Sequence, residues 1–498
     1  MNQTVNEILA VTPVLEALSS LLGTGNVVLP GKELSKNLQN TSHFEAPNVL
    51  GWVKPTQAEQ IPEILSICRQ HHVPVYTYSN GLNWGLGSRL PYEDDCILLE
   101  LSNLNQILEI NEQFHYAIVE PGVTQEQLSN EINRRELKLI LNVTGSSPKS
   151  SVLGNTMERG SGFLEHRIND LKGMEVILAD GTIIRSGFWN MEPSQREIQH
   201  FPMGMGPDWR GLFSQSNLGI VCKGVINLTP KKEVQKMLWC KVEQAKMPAL
   251  VEAIAGLYQR HYIHSVTHIG NDKRMKIEHK SAEQGTTWTS MAMIQGSENF
   301  VRFLEEEIPV YLEGLCLSMG FLTKQEAEAM ELGEIFGCHV GIPTDYFVRA
   351  MYKSEDAELD PNDMQIDFGK YGMLCCLPVL PAKAEDIKAA IDILESIEHD
   401  FGILPAATLN PMNDQCLESV INIYFDRYDP ESVKKAHDVN NEMIRRFYTS
   451  GFRFYRFDVK TLHSYINPEN THWKLVARLK KALDPDRILS PGRYEAKN

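Results

Sequence analysis

Between Asn142 and Gly187 the chain reads N-V-T-G-S-S-P-K-S-S-V-L-G-N-T-M-E-R-G-S-G-F, a short polar run, then L-K-G-M-E-V-I-L-A-D-G-T-I-I-R-S-G. The first half is rich in glycine and hydroxyl side chains, with Gly145, Gly154, Gly160 and Gly162. Glycine lets backbone amides approach a ligand closely and tolerates positive φ. The second half predicts a hairpin, with strands at Met174–Leu178 and Thr182–Arg185 and a turn at Asp180-Gly181. A ligand-facing loop feeding a rigid hairpin is a common way to build a site.

Upstream, V-P-V-Y-T-Y predicts a strand that runs into S-N-G-L-N-W-G-L-G-S, and C-I-L-L-E-L predicts the next strand. Gly81, Gly85 and Gly87 in such a loop suit backbone N–H groups closing on a pyrophosphate. The loop is not G-x-G-x-x-G opening a helix, so a Rossmann dinucleotide site is not supported. Thr56 and Glu59 have capping-box spacing before a helix carrying Ile61, Ile64, Leu65 and Cys68. Thr124 and Gln127 cap a second helix, Gln125 to Arg135, and Ile220 to Leu228 predicts a strand. Val5 to Leu22 has a helical pattern.

Beyond residue 230 the character changes. M-L-W-C-K-V opens a strand and Pro248 to His261 a helix, and residues 297–331 read as mostly helical. M-L-C-C-L-P-V-L-P predicts one strand, Lys383 to His399 a helix, S-V-I-N-I-Y-F a strand and Glu431 to Tyr448 a helix. The order fits α+β architecture in two abutting domains, with a site between them.

The 498 residues exceed what one core usually serves, and 42% hydrophobic with 22% charged residues is ordinary globular composition. A net charge of -16 argues against nucleic acid or an anionic membrane as the main partner. Nine scattered cysteines without C-x-x-C argue against zinc or a disulfide framework. No secretory signal or membrane span is evident, so a cytoplasmic protein, as a homodimer acting on a small molecule, is expected.

V-E-P-G-V-T (119–124), S-V-L-G-N-T-M-E-R-G (151–160), G-M-E-V-I-L-A-D-G-T (173–182) and G-L-F-S-Q-S-N-L-G-I-V (211–221) resemble the FAD-binding domain of the vanillyl-alcohol oxidase and p-cresol methylhydroxylase family. G-I-P-T-D (341–345), F-Y-R (454–456) and D-P-D-R-I-L-S-P-G-R (484–493) extend the resemblance over roughly residues 50 to 495. It implies an FAD-binding domain in two parts, 1–230 and 456–498, around a substrate cap domain, 231–455. In it the loop with Ser79, Asn80, Gly81, Leu82, Asn83, Trp84 and Gly85 would cradle the FAD pyrophosphate. Pro121, Gly122, Ser151, Gly154, Asn155, Glu158, Arg159, Gly160, Gly219, Ile220 and Arg493 would line the cofactor.

The resemblance also implies a Tyr-Arg pair beside the flavin that binds a phenolate, matched here by Tyr455-Arg456. Three departures stand out. Leu86 replaces the loop tyrosine that donates to the phenolate, and leucine cannot donate. Met373, five residues before Pro378, replaces the histidine that links covalently to FAD, with Tyr371 two residues away, so a non-covalent FAD is expected. The acidic residue near the reactive carbon would fall within 142–147, which holds no carboxylate, leaving His43, His166, His339 and Glu418 as substitutes. The expected activity is FAD-dependent hydride removal from a small or biosynthetic tailoring substrate. A 4-alkylphenol or aromatic alcohol oxidase or dehydrogenase, and a redox-silent flavin-binding protein, are the alternatives.

Overall fold

The computed structural model describes residues 13–191, 197–278, 286–351 and 366–496. Its first part holds two sheets. In the four-stranded one, Val49–Val53 and Val75–Tyr78 both run parallel to Cys96–Glu100, and Val27–Val28 pairs antiparallel at the edge. The helix Ile61–Gln70 covers this sheet because Ile61, Ile64, Leu65, Ile67 and Cys68 fall on one face. Its cap differs from the expected spacing. The Gln60 side chain, not Glu59, takes the backbone amides of Thr56 and Gln57.

The second sheet is antiparallel, in the order Ile107–Asn111, Tyr116–Val119, Ile220–Asn227, Leu171–Ile177, Ile183–Arg185. The hairpin of the glycine-rich stretch is its last pair. Gly181 supplies φ +88° at the turn, and Asp180 Oδ1 accepts from the Thr182 amide at 2.9 Å. The helix Gln125–Arg134 starts with the predicted capping box at Thr124 and Gln127. Residues 13–22 are helical; the beginning of that predicted helix lies outside the described residues.

Val234–Glu243 opens a nine-stranded antiparallel sheet, which Arg453–Phe454 closes at the far edge. The helices Met247–Gln259, Glu298–Tyr311, Ala384–Phe401 and Pro430–Thr449 bury their apolar stripes on it. The stretch 297–331 is less helical than its composition predicts. Cys316–Leu322 is a strand there, paired with Val234–Glu243 at the edge of the sheet. The segment predicted as one strand near Cys375 is two, Tyr371–Cys376 and Pro378–Pro381, and both pair with Cys416–Asp426. Pro378 has no N–H for the ladder, which suits a break there. Residues 488–490 then return to the first part, where Val75 N donates to Ile488 O and Ser490 N donates to Val75 O, both at 2.7 Å. Among the described residues no helix is long and apolar enough to cross a membrane.

Candidate active site

The glycine loop after Val75–Tyr78 turns on positive φ at Gly81 (+70°), Gly85 (+77°) and Gly87 (+109°). Asp367 clamps it from the other part of the chain. Its carboxylate accepts from Arg89 Nη2 (2.9 Å), Trp84 Nε1 (3.3 Å), Ser88 Oγ (2.7 Å) and the Thr41 amide (2.9 Å). This loop stands between two adjoining cavities.

The first cavity, about 170 Å³, is lined by Ser79, Asn80, Gly81, Leu82, Asn83, Pro121, Ser151, Gly154, Asn155, Glu158, Gly219, Ile220 and Arg493, thirteen of the residues singled out from the sequence. Ser151 Oγ caps the turn by accepting from the Gly154 amide at 2.8 Å. A side chain at Gly154 would run into Ser79, so glycine is what lets the loop and the helix Val152–Met157 meet. Among the described residues, four buried polar atoms on this lining have no partner: Thr77 Oγ1, Asn80 Oδ1, Asn217 Oδ1 and Arg456 Nε. Buried polar atoms are nearly always paired, so such a cluster marks a ligand with polar edges. An FAD, with its phosphates, ribityl hydroxyls and adenine nitrogens, meets that requirement.

The other predicted positions lie elsewhere. Trp84 and Gly160 line the second cavity. Gly85, Gly122 and Arg159 line neither. The Gly85 amide donates to Thr41 Oγ1 at 3.0 Å, Gly122 packs against the carbonyls of Ser102 and Leu104, and Arg159 Nε donates to Ser214 Oγ at 2.8 Å. Glu158 also joins charges: its carboxylate bonds Arg493 and, at 2.6 Å, Tyr494 Oη, and lies 3.6 Å from Arg456 Nη2.

The second cavity, about 220 Å³, has apolar walls from Leu82, Trp84, Leu86, Phe163, Phe347 and Met373. Tyr455 and Arg456 line it, as do Thr144, Gly145 and Ser146 from the stretch expected to carry an acid. Arg456, Asn83, Leu82 and Asn155 border both cavities. Burial, then the carboxylate of Glu418, push the Tyr455 phenol well above its ordinary value, and Arg456 pulls it back in part. Gln215 Nε2 holds the Tyr455 carbonyl at 2.9 Å.

None of the four substitutes for the missing acid lines either cavity. His166 is bound to Glu418 at 2.9 Å, and its contacts with Cys416 and Glu418 lift it to about 10. His339 is buried against Phe163, and burial lowers its pKa. Burial likewise lowers His43. Asp170, near Asn142, is fully buried against Arg167 Nη1 at 2.9 Å and is structural.

One basic side chain that sequence reasoning missed is His268, in the strand His268–Asn271. It lines the second cavity, its Nδ1 is 2.8 Å from Asn410 Oδ1, and its Nε2 is buried without a partner among the described residues. Burial, with the nearby Arg274, depresses it to about 4, so its imidazole is neutral at neutral pH. No local motif marks it. It reaches the cavity because its strand pairs with Ala406–Pro411 in the large sheet.

Residues 49–187 match the FAD binding domain family. A 1'-carboxy-chondrochloren decarboxylase from Chondromyces crocatus is 27% identical, the alignment covering 97% of this chain and 96% of the relative. The flavoprotein subunit of 4-cresol dehydrogenase [hydroxylating] from Pseudomonas putida is 28% identical over 96% of this chain and 94% of its own. The crystal structure of p-cresol methylhydroxylase with substrate bound superposes with a TM-score of 0.87 at 25% identity, over 98% of this chain and 97% of the other. A 4-ethylphenol oxidase from Gulosibacter chungangensis has the same fold, with a TM-score of 0.86 at 23% identity over 98% and 97% of the two chains.

Proposed function

We propose that this FAD-dependent oxidoreductase, which has the fold of the vanillyl-alcohol oxidase and p-cresol methylhydroxylase family, removes hydride from a C–H bond next to oxygen, nitrogen or an aromatic ring. The observation that carries this reading is the sharing of Arg456, Asn83, Leu82 and Asn155 between the two cavities. One room takes the cofactor, the other the substrate, and they meet at a fixed guanidinium.

The cofactor would be held by Ser79 to Asn83, Pro121, Ser151, Gly154, Asn155, Glu158, Ile220 and Arg493. When bound, FAD supplies the acceptor for the hydride, and its electrons pass on to dioxygen or another acceptor. Every other task falls to side chains. Tyr455 and Arg456 hold an oxygen of the substrate, and the guanidinium favours its anion. The walls of Leu82, Trp84, Phe163 and Met373 exclude water, which strengthens that contact. His268 Nε2 accepts a proton from the substrate, while Asn410 holds the ring through Nδ1.

The full-length relatives carry a decarboxylase and a cresol dehydrogenase in their names, so relatedness does not choose the substrate. A simple 4-alkylphenol would be held by Tyr455-Arg456 without a second donor, because Leu86 lines the cavity where a tyrosine was expected. A tailoring substrate with a further polar group fits the lining better. The test is anaerobic mixing of the holoprotein with candidate phenols, alcohols and amines. Bleaching of the flavin by at least one supports the reading; an oxidised flavin with all of them favours a redox-silent flavin protein.

The division into 1–230, 231–455 and 456–498 is part of this proposal, supported by the large sheet running from Val234 to Phe454. A cytoplasmic homodimer is too. All nine cysteines are free thiols, which suits a reducing compartment. Val310 and Leu317 are 66% and 56% exposed on the cap, which suits a subunit contact.

A further inference from the structure

We infer that Thr144 Oγ1 accepts a hydrogen bond from an uncharged donor, a hydroxyl or an amide N–H, which the substrate carries at the end that meets the cofactor. The inference rests on the larger cavity being the substrate site. The place is the stretch 142–147, where a carboxylate was expected and hydroxyl groups stand instead. Thr144 and Ser146 line the larger cavity, Ser150 lines the cofactor cavity, and Asn155 borders both.

These side chains are joined by hydrogen bonds whose direction follows from the groups that have no choice. The Thr144 amide can only donate, and it donates to Gln125 Oε1 at 2.7 Å. That turns Gln125 Nε2 toward Ser147 O and Ser150 Oγ, both at 2.9 Å. Ser150 Oγ gives its one proton to the Ser147 carbonyl at 2.7 Å, because a carbonyl can only accept. Ser146 Oγ and Ser150 Oγ lie 2.7 Å apart, so Ser146 is the donor of that pair. The Ser146 proton is then spent, and Thr144 Oγ1 donates to Ser146 Oγ across 2.8 Å. Every hydroxyl proton in the row points away from Thr144.

Thr144 Oγ1 is left with accepting capacity alone. Asn155 Nδ2 takes one of its two lone pairs at 3.2 Å, and reaches Ser146 Oγ at 3.3 Å and Ser150 Oγ at 3.1 Å as well. Among the described residues nothing donates to the second lone pair. Thr144 is 4% exposed, so this acceptor is completed by what fills the cavity rather than by bulk water. Asn155 borders both cavities and so sets the acceptor at their junction, where a reacting C–H has to lie to reach the flavin. The acceptor is also neutral. Among the described lining residues of the larger cavity there is no aspartate or glutamate, so an alkylammonium here would be a buried charge without a counter-ion. A methyl group would leave the acceptor unpaired. A hydroxyl or amide N–H satisfies it and brings no charge, which favours the carbinol C–H of an alcohol over the side chain of a plain alkylphenol.

The test is a binding titration of the oxidised holoprotein, read from the visible flavin spectrum. Two probes are used, 4-hydroxybenzamide and 4-hydroxyacetophenone. Both carry a phenol for Tyr455-Arg456 and a carbonyl group of similar shape, and of the two groups para to the phenol only the amide donates. The wild type should bind the amide about 2–10-fold more tightly than the ketone, the range expected for one neutral hydrogen bond. Thr144→Val removes the hydroxyl at nearly constant shape and should abolish that preference. Thr144→Ser restores a hydroxyl and should keep it. FAD content is measured on every sample, so that lost cofactor is not read as lost preference. Equal affinities for amide and ketone in the wild type overturn the inference while leaving the cavity's role intact. An undiminished preference in Thr144→Val overturns it as well. If neither probe perturbs the flavin, the reading of this cavity as the substrate site falls, and the inference with it. Should Thr144→Val fail to fold, the wild-type comparison and Thr144→Ser decide the matter.

Discussion

Asn83 Oδ1 accepts a 2.5 Å hydrogen bond from Arg456 Nη2, tying the glycine loop to a segment 373 positions later in the chain. The bond fixes the guanidinium at the boundary of the two cavities. Asn83→Ala removes that acceptor and should slow flavin reduction by about 10-fold or more, the equivalent of about 1.5 kcal/mol. Retained FAD with a slower rate in rapid mixing identifies a positioning role. An unchanged rate would mean that the guanidinium is held by its other contacts.

Asp367 is the second tie on the same loop. It is 2% exposed and receives four donors, one from the positively charged Arg89. Removing one partner of a buried pair typically costs about 3–5 kcal/mol. Asp367→Ala should therefore lower the thermal midpoint and weaken FAD binding together. The apoprotein's melting curve and a flavin titration check both effects. Loss of stability with normal FAD affinity would separate the clamp from the cradle.

Met373 lines the larger cavity, and thioether sulfur forms no flavin link. Tyr371, on the same strand, lines neither cavity. Acid precipitation should leave the flavin in the supernatant. A yellow pellet whose flavin maps to Tyr371 would refute non-covalent binding.

His268 gives a pH signature with a definite sign. Its folded pKa, about 4, lies below the ordinary value of 6.5 because burial disfavours the cation, with Arg274 adding to the effect and the Asn410 bond opposing it. The unfolded chain binds this proton more readily, so stability falls as pH drops from about 6.5 towards 4. His268→Gln should reduce that acid slope and, above pH 6, slow flavin reduction without loss of FAD. The wild-type rate should be flat above pH 6 as far as His268 is concerned. Equal acid slopes in the two proteins would contradict the assignment.

Much of this was legible in local signals. The capping box at Thr124, the Asp180-Gly181 hairpin and the glycine loop each depend on a few adjacent residues, and each formed where its residue types required. Thirteen predicted cofactor residues fell on one cavity because the loop motifs are contiguous. Arg159, Gly85 and Gly122 sit within the same motifs yet serve the frame around the cavity. Spacing alone does not say which way a side chain points. His268 and Arg274 were out of reach for another reason. They belong to the strand His268–Asn271 and to the helix directly after it, and that strand pairs with Ala406–Pro411 more than a hundred residues later, a register no short motif encodes. Cys316–Leu322 was hidden likewise: an edge strand with an exposed face lacks the buried alternation that marks a strand in sequence.

The central claim is that Arg456, where the two cavities meet, stabilises a substrate anion during hydride loss. The direct measurement is rapid-mixing flavin reduction of Arg456→Ala by whichever candidate phenol, alcohol or amine bleaches the wild-type flavin, with FAD content determined on the same sample. Loss of a preorganised donor costs about 2.7–4 kcal/mol, or about 10²–10³ in rate. The variant should therefore keep its fold and flavin spectrum and lose at least about a hundredfold in rate, with Arg456→Lys recovering only part because an ammonium lacks the planar fork. A fully loaded Arg456→Ala protein that is reduced as fast as the wild type would contradict the account.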